Sequence, residues 1–322
     1  MHDSKSSHRD LPEPMDSYLQ SCCGDHLQWR LPDSLEAGWA ALGVTLTAGL
    51  VCVLLLRRLR PAPAPPDQCR SLDCTRCHGA ADAADRAAAR LEQAAAAGQL
   101  VSDRVRRAVA EWRRTGGAGE PAGRLMIAEL SERVWWDTAH EADQRRLRLA
   151  AAGIAADYRW ARDQPHRWSV NSSPAGRWRL FWLVNQGSSR LGPGECAATL
   201  AAVDSLAGAM RHTVFSNVCF SVLGPGTSIE PHLGPTNVRV RCHLGLEVPD
   251  GCRLVVAGEE RPWTRDRCLL FDDSHLHHAE HSGQAGEPRV VLMVDMWHPL
   301  LTANERRLLG ELLRPPDAHT SQ

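Results

Sequence analysis

Beyond Arg167 the chain is divided into short apolar runs with turn residues between them, and that spacing limits the possible folds more than any other feature. The runs cover 178–184, 214–223, 237–247, 253–257, 267–271 and 289–297, each bounded by Gly, Pro, Asp or Asn. A parallel βαβ sheet needs a helix-sized crossover between successive strands. Short runs at these intervals instead predict a mainly β domain, a sandwich or jelly roll, over 167–300.

The residues ahead of this block have a different character. From 80 to 112 the composition is Ala, Arg, Asp and Glu, with Leu91, Leu100, Val105 and Val109 at helical spacing and a break at Gly98, which predicts two packed helices. A Gly-rich loop follows at 115–123, and helical character resumes over 139–160 through Leu147, Leu149, Ile154 and Tyr158. Residues 80–166 are therefore expected to flank the β domain, and 301–322 to form a C-terminal helix and tail.

Residues 37–56, AGWAALGVTLTAGLVCVLLL, carry no charge. As a helix they span roughly 30 Å, the thickness of a bilayer core, so they read as one transmembrane helix. Residues 1–36 read as a disordered tail ahead of it, and 57–79 as a Pro- and Cys-rich linker beginning PAPAPP at 61–66. Arg57, Arg58 and Arg60 follow the apolar run directly, which argues for a cytosolic C-terminal part. Within the linker, Cys69, Cys74, Cys77 and His78 fall close together; zinc, a local disulfide and unpaired thiols all suit them. With 37 basic and 38 acidic side chains the formal net charge is −1, which offers no electrostatic basis for a nucleic-acid partner.

Two histidine-bearing segments carry the chemistry. TSIEPHLGPTN puts His232 where a strand gives way to Gly234-Pro235, and FDDSHLHHAEH puts His275, His277, His278 and His281 behind the apolar run CLLF. A lone histidine is usually a packed or surface residue. One at a strand end, another 45 positions later (277 − 232), and an arginine opening the last strand form the layout of a jelly-roll oxygenase. Arg289 is suited to a dicarboxylate co-substrate because its planar fork can bind a carboxylate through two parallel bonds. Asp272 and Asp273 either orient an imidazole or form a turn, and the turn is favoured.

The blocks GRWRLFWLVNQG, HLGPTNVRVRCHLGL, CLLFDDSHLHH and VVLMVDMWHP resemble the signature blocks of the aspartyl/asparaginyl β-hydroxylase family, and particularly its membrane-anchored branch of domain-containing animal proteins. The resemblance implies a double-stranded β-helix of cupin type, Fe(II) as cofactor and 2-oxoglutarate as co-substrate. It further implies hydroxylation of the β-carbon of Asp or Asn in peptides or protein domains, with release of succinate and CO2. His232 and His277 become the iron ligands. Arg289 and Ser221 hold the distal carboxylate of 2-oxoglutarate, with His243 beside them. Arg241, and with it Arg239, matches positions associated with a substrate carboxylate or the pocket near the metal, against a plainer reading as solvated strand residues. The family's usual topology would place the catalytic domain in the lumen of the secretory pathway, as a single-pass type II protein. Lipid acyl chains are a second substrate class, because bacterial relatives act on them, and a binding module without turnover is a third reading. Its motive is Gly234, which stands where a facial triad of two histidines and a carboxylate would carry its acid.

Overall fold

The computed structural model describes residues 75, 79–116, 123–130, 132–171, 173, 175–283 and 286–316. The expected tail, the transmembrane segment at 37–56 and the cysteines of the linker lie outside these residues. Among the described residues no helix is long and apolar enough to cross a membrane.

Among the described residues eleven strands form two antiparallel sheets: β1 (Trp168–Asn171), β2 (Trp178–Asn185), β3 (Ser188–Ser189), β4 (Val218–Leu223), β5 (Thr227–His232), β6 (Arg239–Glu247), β7 (Cys252–Val256), β8 (Glu259–Pro262), β9 (Cys268–Phe271), β10 (His277–His281) and β11 (Arg289–Trp297). The larger sheet runs β1-β2-β4-β11-β6-β9 with β3 on β2, and the smaller runs β5-β10-β7-β8. From β4 onward the chain passes back and forth between the sheets: β4 to β5, β6 to β7 and β8, β9 to β10 and finally β11. That winding is a jelly roll, as the spacing of the apolar runs predicts.

The expected strand over 214–223 starts only at Val218. Its first residues form a turn, in which Ser216 N–H and Oγ both donate to Thr213 O at 2.9 Å. Sequence periodicity had not marked β8 or β10 as strands, because Glu259–Pro262 and His277–His281 carry too few apolar side chains.

Among the described residues six α-helices accompany the sheets: α1 (Ala80–Ala96), α2 (Asp103–Thr115), α3 (Glu141–Leu149), α4 (Ala151–Arg162), α5 (Ala197–Asp204) and α6 (Ala303–Leu312). The expected helical stretch 139–160 is thus two helices meeting at Ala150, and α5 lies inside the segment expected to be mainly β. The helices pack into two separate apolar clusters. Leu147, Ile154 and Tyr158 from α3 and α4 pack on the outward side chains of the large sheet, such as Phe220, Val240, Leu292 and Val294. Ala84, Ala87 and Leu91 of α1 join Val109 and Trp112 of α2 and Leu308 and Leu309 of α6 in a second cluster. In α1 the buried positions recur three and four apart, which gives an alanine-rich helix one face to bury. Glu305 fastens this cluster: it completes a capping box with Thr302 at α6 and accepts from Ser102 Oγ, at the start of α2, at 2.9 Å.

The side chains of the large sheet that face inward, toward the small sheet, are left for the site.

Candidate active site

β5 and β10 are neighbours in the small sheet, and their register sets His232 directly opposite His277. The ring centroids are 4.2 Å apart, a separation suited to two neighbouring ligands of one ion. Each ring is oriented in the same way. His232 Nδ1 lies 2.8 Å from Glu230 O, and His277 Nδ1 lies 2.8 Å from His275 O. A carbonyl can only accept, so Nδ1 carries the proton in both rings and a neutral ring keeps its lone pair on Nε2. This is the tautomer a metal ligand needs, set by the backbone two residues earlier. Burial, followed by the proximity of His232, pushes His277 down to about 3, so it is neutral at pH 7. Among the described residues no group of three or more His, Cys, Asp or Glu side chains is arranged to hold an ion.

Deeper in the same interior three hydrogen-bond donors meet. Arg289 opens β11 and is 1% exposed, and among the described residues no carboxylate lies against its guanidinium. Its Nη1 donates to Ser221 O at 3.3 Å, its plane lies 4.5 Å over Trp263, and its Nε has no acceptor. Burial lowers its pKa to about 10. His243 on β6 accepts at Nδ1 from Trp263 Nε1, at 3.2 Å. An indole N–H can only donate, so the proton of a neutral His243 is on Nε2, and that buried atom has no partner. Burial, then Arg289, keeps His243 well below the ordinary imidazole value, hence uncharged. Ser221 Oγ accepts from Trp178 Nε1 at 3.2 Å, which leaves the hydroxyl hydrogen to donate. A buried cation, an imidazole N–H and a hydroxyl without matching acceptors form a lining that fits a carboxylate. Phe271 joins the two parts, with its ring 5.7 Å from His277 and 5.1 Å from His243.

Arg239 and Arg241 are differently placed. Arg239 reaches Asp273 Oδ2 at 2.7 Å and Asp295 Oδ2 at 2.9 Å, and also donates to Phe215 O. Arg241 reaches Asp295 Oδ1 at 2.9 Å and Asp273 Oδ2 at 3.1 Å. Two guanidinium groups and two carboxylates therefore balance one another in the wall of the site. Burial alone would raise the Asp273 carboxyl, but Arg239 and Arg241 outweigh it and hold the group well below the usual carboxylate range. For Arg241 burial again opposes, and Asp273 and Asp295 prevail, raising it above the ordinary arginine value.

The reading of this arginine pair as solvated strand residues fails, since Arg239 is buried and all three nitrogens of Arg241 are engaged by carboxylates. Any substrate or co-substrate carboxylate at Arg241 would share it with Asp273 and Asp295. The favoured turn holds for both: Asp272 O accepts from His275 N and its Oδ1 from Ser274 N at 2.8 Å, while Asp273, inside the turn, also sends its carboxylate to Arg239 and Arg241. Gly234 is packed against that same residue: its N–H donates to Asp273 O at 2.7 Å, and a Cβ there would meet Asp273 Cγ at 2.7 Å. No side chain of any kind fits at the position where a facial triad has its acid.

The register brings together His232, His277, His243, Ser221 and Arg289. His278, next to His277 on the strand, points the other way, toward Glu280 at 3.5 Å. Trp263, Trp178 and Asp295 were not expected at the site. Trp263 follows a polar edge strand with no periodicity to mark it, and Asp295 sits within an otherwise apolar stretch of β11.

Residues 140–299 match the sequence model of the family described as Aspartyl/Asparaginyl beta-hydroxylase. Aspartate beta-hydroxylase domain-containing protein 2 of Homo sapiens is 51% identical over 157 residues, which are 47% of this chain and 42% of that one. Aspartate beta-hydroxylase domain-containing protein 1 of Mus musculus is 35% identical over 219 residues, 62% of this chain and 59% of that one. The Aspartyl/asparaginyl beta-hydroxylase of Mus musculus is 38% identical over 144 residues, 43% of this chain and 19% of that one. This chain thus spans less than two thirds of the length of each. Both histidine-bearing strands, the donor cluster and the arginine–aspartate network fall inside the matched segment, and over that segment, just under half of its length, the chain is similar to the aspartyl/asparaginyl β-hydroxylase family.

Proposed function

We propose that the chain is an Fe(II)- and 2-oxoglutarate-dependent dioxygenase that hydroxylates the β-carbon of Asp or Asn residues in peptides or protein domains, releasing succinate and CO2. The observation that carries this reading is Arg289, a buried guanidinium without a counter-ion among the described residues, on the same inner face as His243, with Phe271 packed between His243 and the His277 ring. His232 and His277 would hold Fe(II) through Nε2. Arg289, the Ser221 hydroxyl and the Nε2–H of His243 would hold the distal carboxylate of 2-oxoglutarate. When both are bound, oxidative decarboxylation of the co-substrate supplies the oxidant for an unactivated C–H bond.

The chain's own contribution is orientation and charge. Arg289 neutralises the carboxylate in a place water does not reach, His243 stays neutral and so donates without adding a second positive charge, and Trp263 fixes both by stacking and hydrogen bonding. The Asp or Asn substrate rests on the family resemblance alone.

A second reading, a binding module without turnover, draws on Gly234, whose close packing on Asp273 leaves two protein ligands for the ion. Anaerobic Fe(II) titration followed by succinate assays with Asp- and Asn-containing peptide pools, and in parallel with lipid pools, separates these readings. Succinate with a hydroxylated peptide supports the first; metal and 2-oxoglutarate binding without product from any pool supports the second; no binding of either refutes the first.

A further inference from the structure

We infer that Arg124, which lies ahead of the family-matched segment, is the positioning residue that sets the spacing of the two histidine-bearing segments. The proposal rests on the reading of His232 and His277 as the metal ligands.

The chain from 123 to 130 runs as a strap beside the start of β6. Leu125 bridges Thr236 in parallel, and its N–H donates to Pro235 O at 3.1 Å. Thr236 Oγ1 donates back to Leu125 O at 2.8 Å. Asn237 clasps Ile127 from both sides, its Oδ1 accepting from Ile127 N at 2.8 Å and its Nδ2 donating to Ile127 O at 2.7 Å. Leu125 and Ile127 are fully buried in the helical cluster, so the strap cannot slide along its neighbour without exposing them.

Arg124 stands at the end of the strap nearest the site. Its Nε donates to Gly234 O at 2.8 Å and its Nη2 to Ser274 O at 2.6 Å. Gly234 is two residues past His232 and Ser274 three before His277. One edge of one guanidinium thus spans the two segments that present the imidazoles. The same segments touch directly through Gly234 N–H on Asp273 O. That contact draws two carbonyl dipoles toward each other, and a cation with two parallel N–H bonds offsets their repulsion. Lysine provides the charge without the planar fork. Since the histidine Nδ1 protons are held by backbone carbonyls of these same stretches, a shift of either segment moves its ring.

The test uses the full chain and three variants: Arg124→Ala, Arg124→Lys and Asn237→Ala. Amide exchange is followed by mass spectrometry without metal, and Co(II) affinity by visible absorption. Arg124→Ala is expected to speed exchange about tenfold or more in both 232–236 and 272–277 while β4 and β11 keep their protection. It should also weaken Co(II) binding about 10- to 100-fold, with Arg124→Lys between it and the wild type. Asn237→Ala should loosen 125–127 and leave 272–277 and Co(II) affinity within about twofold of wild type. Unchanged exchange in either histidine segment of Arg124→Ala overturns the proposal, and so does an Asn237→Ala variant that reproduces both effects. Should Arg124→Ala not fold, Arg124→Lys carries the same comparison. A wild-type chain that takes up no Co(II) defeats the metal reading above, while the exchange measurement still decides the role of Arg124.

Discussion

Arg239 and Arg289 lie on neighbouring strands, both buried on the inner face of the large sheet, but only Arg239 meets carboxylates. With Arg241, Asp273 and Asp295 it forms a set whose charges cancel, and such a set is part of the architecture. Arg289 has a carbonyl, an indole face and a nitrogen without an acceptor. Burying a charge without a partner is costly, so its position suits an anion that the described residues do not supply. Their electrostatics diverge accordingly, as burial lowers Arg289 while Asp273 and Asp295 raise Arg241 despite its burial. Charge type and burial alone would have grouped these residues together; partners distinguish them.

The comparison is open to direct attack. Arg239→Ala leaves two buried carboxylates sharing the single charge of Arg241 and is expected to cost roughly 3–5 kcal/mol of folding stability, read as a large drop in the urea midpoint. A midpoint within experimental error of wild type would remove the network from the architecture. Arg289→Met should behave in the opposite sense: affinity for 2-oxoglutarate falls about 100-fold or more, measured by calorimetry with Co(II) present, while the urea midpoint holds or rises. A marked loss of stability would make Arg289 a structural residue as well. Gly234→Asp should not restore a third ligand, because its side chain runs into Asp273; overpacking is expected to cost about 1–3 kcal/mol and to leave Co(II) affinity no tighter. Tighter binding would show that the wall yields.

The smallest effect belongs to a third charged group, at the helical end. Glu305 is held at about 2 first by Arg104 and then by the cap of α6, with burial opposing. A carboxyl depressed on folding stabilises above its unfolded value near 4.5, and that contribution is lost as pH falls through about 2. Glu305→Gln should therefore cost about 1 kcal/mol at pH 7 and progressively less in acid. A difference that stays constant between pH 6 and pH 2 would contradict it.

Much of the site was legible from residue types and their order. His232 at a strand end, a histidine-rich segment after CLLF, and Arg289 opening the last strand were all readable, because ligand chemistry restricts which side chains can serve. Asp273 was not. Next to Asp272 it looks like half of a turn, and nothing local says that its carboxylate meets arginines 32 and 34 residues earlier (273 − 241 and 273 − 239). Arg124 was invisible for the same reason, its two acceptors lying 110 and 150 residues away. Strands β8 and β10 escaped because edge and ligand-bearing strands carry polar side chains where periodicity looks for apolar ones.

By itself the sequence determined the alternation of short apolar runs and turns that winds into a jelly roll, and the kinds of side chain available for chemistry. Hydrophobic periodicity and turn preference act over a few residues, so they survive in a linear reading. Only the tertiary structure decided that Arg239 and Arg241 are neutralised by carboxylates while Arg289, among the described residues, is not, and that His232 faces His277. Strand register makes those choices, since a shift of one residue turns each side chain to the opposite face.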